Sequence, residues 1–144
     1  MFKTILYETN RQGSKTFPTN FTPQSEAELE AFFGPLLLRG VYRSANEATE
    51  ELWSAQQGRK IFPQTMSHCR FKQIRRILRF DNPDTRQARL ARDKLAAVRL
   101  LIEGFQSNSH SAFIPGECVT VDGQLYPFRG RCRYRQYMPN KPAK

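Results

Sequence analysis

The spacing of apolar residues changes once along this sequence of 144 residues, near residue 117, and that change limits what the chain can fold into. Up to about residue 106, apolar residues recur every three or four positions, which is typical of helices that bury one face. From Cys118 onward they alternate with other residues, which is typical of strands. We therefore predict a mainly α-helical region followed by a β-hairpin that opens a sheet which the chain does not finish.

The segment before the first periodic stretch, residues 1–24, is predicted to be irregular. Gly13, Pro18 and Pro23 interrupt any helical or strand period there. Four helices are predicted farther on, two of them beginning at capping boxes, in which a side-chain hydroxyl accepts a hydrogen bond from an N–H group of the first turn. The first helix begins at Ser25 (with Glu28), and the second, a short one, runs from Ser44 (with Glu47) to near Trp53. The third covers 67–80 and ends in a turn at 81–84. The fourth covers 93–106 and is followed by a linker at 107–116.

The charge of the chain indicates a polyanionic partner. The formal net charge is +10 at pH 7, and a small basic protein of this kind most often binds nucleic acid. The basic residues form two blocks, 70–99 and 117–144. The alternative is a fragment whose acidic half is missing. No apolar run is long enough to cross a bilayer, and three widely spaced Cys favour neither a disulfide scaffold nor a CxxC metal site.

The helix predicted over 67–80 separates charged from apolar residues. Four cations fall on one side at about 100° per residue, opposite the apolar side chains. Such a basic stripe can follow a phosphate backbone, and a solvated helix face is the alternative interpretation. The cations are Lys72, Arg75, Arg76 and Arg79, and the opposite face carries Phe71, Ile74, Ile77 and Leu78.

The predicted hairpin carries the second basic block. Its first strand covers 118–122 and its second covers 129–138, where arginine occupies every second position, so that the arginines line one face. Guanidinium groups grip phosphate as a planar fork, and lysine supplies a point charge. The predicted DNA contacts of this block are Arg129, Arg131, Arg133 and Arg135, followed by Lys141 and Lys144 in an extended tail.

Other chemistry-bearing side chains favour structural roles. Trp53 is predicted to anchor a core rather than to stack on a base. His68 and Cys69 are adjacent on a helix and point about 100° apart, so they cannot easily share a metal ion or a proton.

The C-terminal block also resembles a known family. The segment from Val121 to Lys144 resembles the start of the catalytic domain of piggyBac-type transposases, with its strand-end aspartate, Phe-Arg-Gly-Arg turn, Arg-Gln-Tyr and Pro-Asn-Lys-Pro-Ala-Lys tail. Weaker motifs precede it in the family's order: FFGPLLLRG, LWS, MSHCRFKQIRRILRFDN and DKLAAVRLLIEGFQ.

That resemblance implies a helical dimerisation and DNA-binding region over 25–115 and, from 116, the first strands of a truncated RNase H-like catalytic domain. In the family, three aspartates hold two Mg²⁺ ions that promote DNA cleavage and transfer. Asp122 matches the first, as a catalytic and metal-binding residue. One carboxylate does not build a two-metal site, so the chain alone is expected to be inactive and to bind no Mg²⁺.

The resemblance further implies DNA partners, transposon ends in the family, a possible homodimer or a related transposase as partner, a nuclear location, and neither a membrane nor a small-molecule substrate. Three alternatives stay open. The residues belong to an active cut-and-paste transposase of which they are one part; they form a non-catalytic interaction module that docks through a face of Leu29, Phe32, Phe33 and Leu36; or they are a decaying insertion without a function.

Overall fold

The computed structural model describes residues 1–120 and Met138, and within that part of the chain all regular structure is helical. The chain divides into two compact units, Met1–Asp81 and Asn82–Lys144. The first contains α1 (Phe2–Thr16), α2 (Glu26–Val41), a 3-10 helix (Ser44–Asn46), α3 (Thr49–Leu52), α4 (Ile61–Thr65) and α5 (His68–Ile77). The second contains α6 (Pro83–Leu90) and α7 (Arg99–Ala112).

Helix α1 lies where an irregular segment was predicted, and that prediction is wrong for residues 2–16. Its buried residues recur at helical spacing but are mostly small or polar, so they give little apolar signal. Gly13 is one of them, and its role is close approach rather than a turn, because a β-carbon there would overlap the ring of Phe21. Packing against α2 and α5 therefore forms this helix.

Helix α5 ends at Ile77, three residues before the predicted end. The hydroxyl of Thr9, a fully buried residue of α1, accepts a hydrogen bond from the Arg79 backbone N–H (3.1 Å) and donates one to the Arg79 carbonyl (3.3 Å). These two bonds satisfy backbone groups that a longer helix would have paired internally. Contact with α1 thus fixes where α5 stops.

The first predicted capping residue is confirmed and the second is not. Ser25 caps α2, its Oγ accepting from the Glu28 backbone N–H at 3.1 Å. Ser44 instead opens a 3-10 helix, and its hydroxyl lies 2.7 Å from the carboxylate of Glu47. Helix α3 begins only after Ala48, whose backbone N–H donates to the carboxylate of Glu51 at 2.9 Å.

The core of the first unit is built from α2, α4 and α5. Phe32 of α2 is fully buried, and its ring centroid lies 5.0 Å from that of Phe71 on α5. Trp53 packs against Phe71 at 4.7 Å and Phe62 at 5.2 Å, and its indole N–H donates to the Met66 carbonyl (2.8 Å). Trp53 is therefore a structural anchor, as predicted.

In the second unit the sequence prediction needs three corrections. Helix α6 was not predicted: Asn82, which was assigned to a turn, caps this helix, and Pro83 lies in its first turn. The helix predicted over 93–106 begins at Arg99, since the Asp93 carboxylate accepts from the Leu95 backbone N–H (2.9 Å) and holds a turn. Helix α7 then continues to Ala112, so residues 107–112 of the predicted linker are helical.

The predicted strands cannot be compared in full. Residues 118–120 of the first strand carry no regular secondary structure. The rest of that strand, Asp122 included, and the second strand with its four arginines lie outside the described residues, apart from Met138. Lys141 and Lys144 lie outside them as well.

Candidate nucleic-acid interface

The cationic face of α5 is the candidate interface in the described part of the chain. Ser67 caps the helix, its hydroxyl accepting from the Arg70 backbone N–H at 3.3 Å. The apolar face is buried through Phe71, Ile74 and Ile77. The opposite face, here called the α5 cationic face, consists of the exposed side chains Lys72, Arg75 and Arg76. The predicted separation of the two faces is confirmed for these three cations.

Arg79, the fourth predicted cation, differs from the other three. It follows the end of α5, is half-buried, and its guanidinium donates to the Leu78 carbonyl at 2.8 Å. Its backbone is held by Thr9 as described above. The structure therefore does not place it on the α5 cationic face.

The cations of that face make weak contacts that a polyanion can replace. The Lys72 Nζ lies 3.2 Å from the Glu50 carboxylate, and both side chains are about half-exposed or more. Because solvent screens an exposed pair of this kind, it contributes little to stability. The Arg75 guanidinium donates to the Thr49 hydroxyl at 3.3 Å. Two of the three charges thus have replaceable polar neighbours, and the third, Arg76, packs on an aromatic ring.

Glu50 remains ionised beside these groups. Its pKa is lowered, first by a backbone hydrogen bond and next by the hydrogen bond from Lys72. Its carboxylate also lies 3.9 Å from the Nε2 of His68, whose ring packs on Trp53 at 5.3 Å. His68 is therefore tied to the core side of α5, while Cys69 is exposed. The two side chains differ in surroundings, as predicted for adjacent helical positions.

Arg70, in contrast, belongs to the structure of the unit. Its guanidinium makes two hydrogen bonds to the Glu28 carboxylate, at 2.7 and 2.8 Å, and also donates to the Thr22 carbonyl and the Gln73 amide oxygen. The hydrogen bonds that it donates to the Glu28 carboxylate raise the pKa of Arg70. Because these partners use its donors, Arg70 is not counted in the α5 cationic face.

An open groove runs beside α5 and contains an aromatic ring. The ring is that of Phe17, at the C-terminal end of α1, and the Arg76 guanidinium carbon lies 5.5 Å from its centroid. The sequence analysis missed this residue because α1 was not predicted. The groove is lined by Phe17, Ser67, Cys69, Arg70, Lys72, Gln73, Arg75 and Arg76.

A second concave site lies in the other unit, and its arginines are largely paired. Arg99 binds the Asp93 carboxylate through two hydrogen bonds, at 2.7 and 2.8 Å, which lower the pKa of Asp93 to about 2. The Arg89 guanidinium donates to the carbonyls of Ala96 (2.8 Å) and Asn82 (3.0 Å). These contacts hold the turn between α6 and α7.

The face predicted to dock a partner is used inside the fold. Leu29 and Phe32 are fully buried, Phe33 packs edge-on against Phe32 at 5.6 Å, and only Leu36 reaches the surface. The prediction of a docking surface on this face is therefore wrong. A helix buries its most continuous apolar stripe in its own core when neighbouring helices are present to cover it.

No metal centre can be built from the part of the chain that the structure describes. Within residues 1–120 and Met138, no three His, Cys, Asp or Glu side chains are close enough together to hold an ion. Asp122, the one residue of this sequence that the resemblance assigns to a two-metal site, lies outside the described residues. None of the helices within residues 1–120 combines the length and apolar character needed to cross a bilayer.

Comparison with known proteins relates the chain to transposases. The profile of the transposase IS4 family matches residues 1–144. A solved cryo-EM structure, a piggyBac transposase synaptic complex with hairpin DNA, superposes with a TM-score of 0.88 at 30% sequence identity. The match covers 99% of this chain and 31% of that one, so the chain spans about a third of the solved protein's length. No curated protein sequence matches the chain.

Proposed function

The chain belongs to the transposase IS4 family and is of piggyBac type, and from that premise we propose that its residues form a DNA-docking region of such an enzyme. The observation that carries the proposal is the α5 cationic face, exposed and opposite a buried apolar face. The similar solved protein was captured in a complex with DNA, which supports a DNA partner for this chain.

The contacts proposed are with phosphates rather than with base edges. Three cations at helical spacing lie along about 6 Å of helix, and exposed neighbours such as Glu50 are released at little cost. Neutralising phosphates releases counterions, so that binding is strong and depends steeply on salt. The arginines Arg129, Arg131, Arg133 and Arg135, with Lys141 and Lys144, are proposed to extend the surface. A location in the nucleus, where such DNA resides, is part of the same proposal.

Catalysis by these 144 residues alone is not proposed. The resemblance assigns Asp122 as the first of three aspartates that hold two Mg²⁺ ions, beginning an RNase H-like domain, and it assigns neither of the others within this sequence. When bound, such ions activate the attacking oxygen and stabilise the leaving one. The alternative function, a part of an active cut-and-paste transposase, is tested by reading the coding sequence past Lys144 for two more in-frame aspartates.

Removing the α5 cationic face is expected to weaken DNA binding about 100-fold or more at low salt. Changing Lys72, Arg75 and Arg76 to Gln removes up to three phosphate contacts while keeping polar side chains of similar helix propensity. The slope of log K against log salt should become shallower by about 2–3. Fluorescence anisotropy with a labelled duplex, titrated over a range of salt, measures both quantities.

A matched control removes the same charge elsewhere. Lys3, Lys60 and Lys94 are exposed and lie outside α5, so their combined change to Gln should alter the slope by less than about 1. Equal effects of the two triple variants would mean that net charge alone drives binding. A salt slope near zero for the unaltered chain would refute the proposed DNA-docking function.

Dimerisation is proposed separately, with a second copy or with a related transposase. Two apolar side chains of α2, Leu37 (72% exposed) and Val41 (74%), remain at the surface of the first unit and support it. Sedimentation of the unaltered chain and of Leu37→Glu tests this proposal. A single monomeric species for both would reject it.

A further inference from the structure

We propose that the groove beside α5 receives an unpaired nucleobase, which stacks on the ring of Phe17 while the α5 cationic face holds the flanking phosphates. The substrate class is then DNA with unpaired nucleotides, such as a single-stranded extension beside a duplex. This inference rests on the proposed function, because it assigns a role to the groove along the same helix.

Phe17 is held in place at the groove. It is the first residue beyond α1, and its backbone N–H donates to the Gly13 carbonyl at 2.9 Å, which closes the last turn of the helix. The side chain is half-buried and lines the groove together with the α5 cations. A ring that is fixed before binding loses little conformational freedom when a base stacks on it.

The groups around the Phe17 ring are of the kind that proteins use to bind single-stranded nucleic acid. The Arg76 guanidinium lies over the ring at 5.5 Å, and Lys72 and Arg75 line the same groove. Proteins that bind single strands combine an aromatic stacking surface with a positively charged channel that follows the backbone. A purely electrostatic duplex contact needs the cations but gives no role to an aromatic ring in the groove.

Gln73 supplies a polar group in the same groove. Its amide oxygen accepts from the Arg70 guanidinium at 2.5 Å, and Arg70 is itself held by Glu28. That bond orients the amide, so that its nitrogen is the atom able to donate to a base edge or a phosphate. The groove therefore offers a stacking surface, an oriented hydrogen-bond donor and three exposed cations.

The test compares two DNA probes at one salt concentration. One is a blunt duplex and the other is the same duplex with a single-stranded extension. The unaltered chain is expected to bind the extended probe about tenfold more tightly, and Phe17→Leu, which keeps an apolar side chain but has no aromatic face, should lose most of that preference. Tyr7→Leu removes an exposed ring from the same helix and should change neither affinity.

The outcomes separate this inference from the proposed function. Equal affinity of the unaltered chain for both probes, or equal weakening of both by Phe17→Leu, would overturn the base-binding groove and leave phosphate docking intact. The absence of salt-sensitive binding to either probe would overturn the proposed function itself. The preference of the unaltered chain is informative even if Phe17→Leu fails to fold, which the fluorescence of Trp53 reveals.

Discussion

Phe32→Ala is expected to lower the free energy of unfolding of the first unit by about 3–5 kcal/mol. The side chain is fully buried, and its ring lies 5.0 Å from Phe71 and 5.6 Å from Phe33. Truncation removes these contacts and leaves a cavity between α2 and α5, which neighbouring aromatic rings are too rigid to fill completely.

The single tryptophan makes this measurement specific to one unit. Trp53 packs on Phe71, the same ring that contacts Phe32, so its fluorescence reports on unfolding of residues 1–81. Denaturant titration should move the midpoint sharply for Phe32→Ala. Glu30→Ala, on the same helix but exposed, should cost less than about 0.5 kcal/mol. Similar losses for the two variants would show that α2 is not packed as the structure has it.

Helical periodicity predicted the elements whose buried faces are apolar. In α5, Phe71, Ile74 and Ile77 are buried, as their spacing indicated, and the same count placed Lys72, Arg75 and Arg76 in solvent. The start of α2 was predicted from a serine three residues before a glutamate, although the same pattern at Ser44 opened a 3-10 helix instead. Predictions of this kind hold when one short segment contains all the information.

The errors occur where a distant contact decides the structure. Helix α1 buries Thr9 and Gly13, which are poor helix formers with no large apolar surface, and it exists because α2 and α5 cover it. The end of α5 is likewise fixed by Thr9, which is 70 residues away from Arg79 in sequence. No window of sequence contains such pairs.

In the candidate site, too, local spacing predicted some of the residues and contacts between distant segments placed the others. Its cations follow from the period of α5, whereas Phe17 joins them only because α1 packs beside α5. The partner of Arg70, Glu28, lies 42 residues earlier in the chain, where the period of α5 gives no sign of it. Charge counting therefore included a guanidinium in the basic block of 70–99 that the fold uses internally.

Glu28→Gln tests whether the Arg70–Glu28 ion pair stabilises the first unit. The Arg70 side chain is 17% exposed and that of Glu28 is 29% exposed, so solvent screens this pair less than a surface pair. Replacing the carboxylate by an amide keeps one weaker acceptor and leaves the guanidinium without its counter-charge. The free energy of unfolding, followed through Trp53, should fall by about 1–3 kcal/mol. Glu30→Gln, the same change at an exposed position of α2, should cost less than about 0.5 kcal/mol.

Glu28→Gln should lower stability without weakening DNA binding. Each of these two variants raises the net charge from +10 by one unit, so the affinity of the folded chain for a duplex should rise slightly and equally in both. A loss of affinity in Glu28→Gln alone would mean that Arg70, once released, disturbs the groove that it lines. Equal stability of the two variants would mean that the Arg70–Glu28 pair contributes no more than an exposed one. The expected combination, lower stability with undiminished binding, distinguishes the cation that holds the unit together from those proposed to hold DNA.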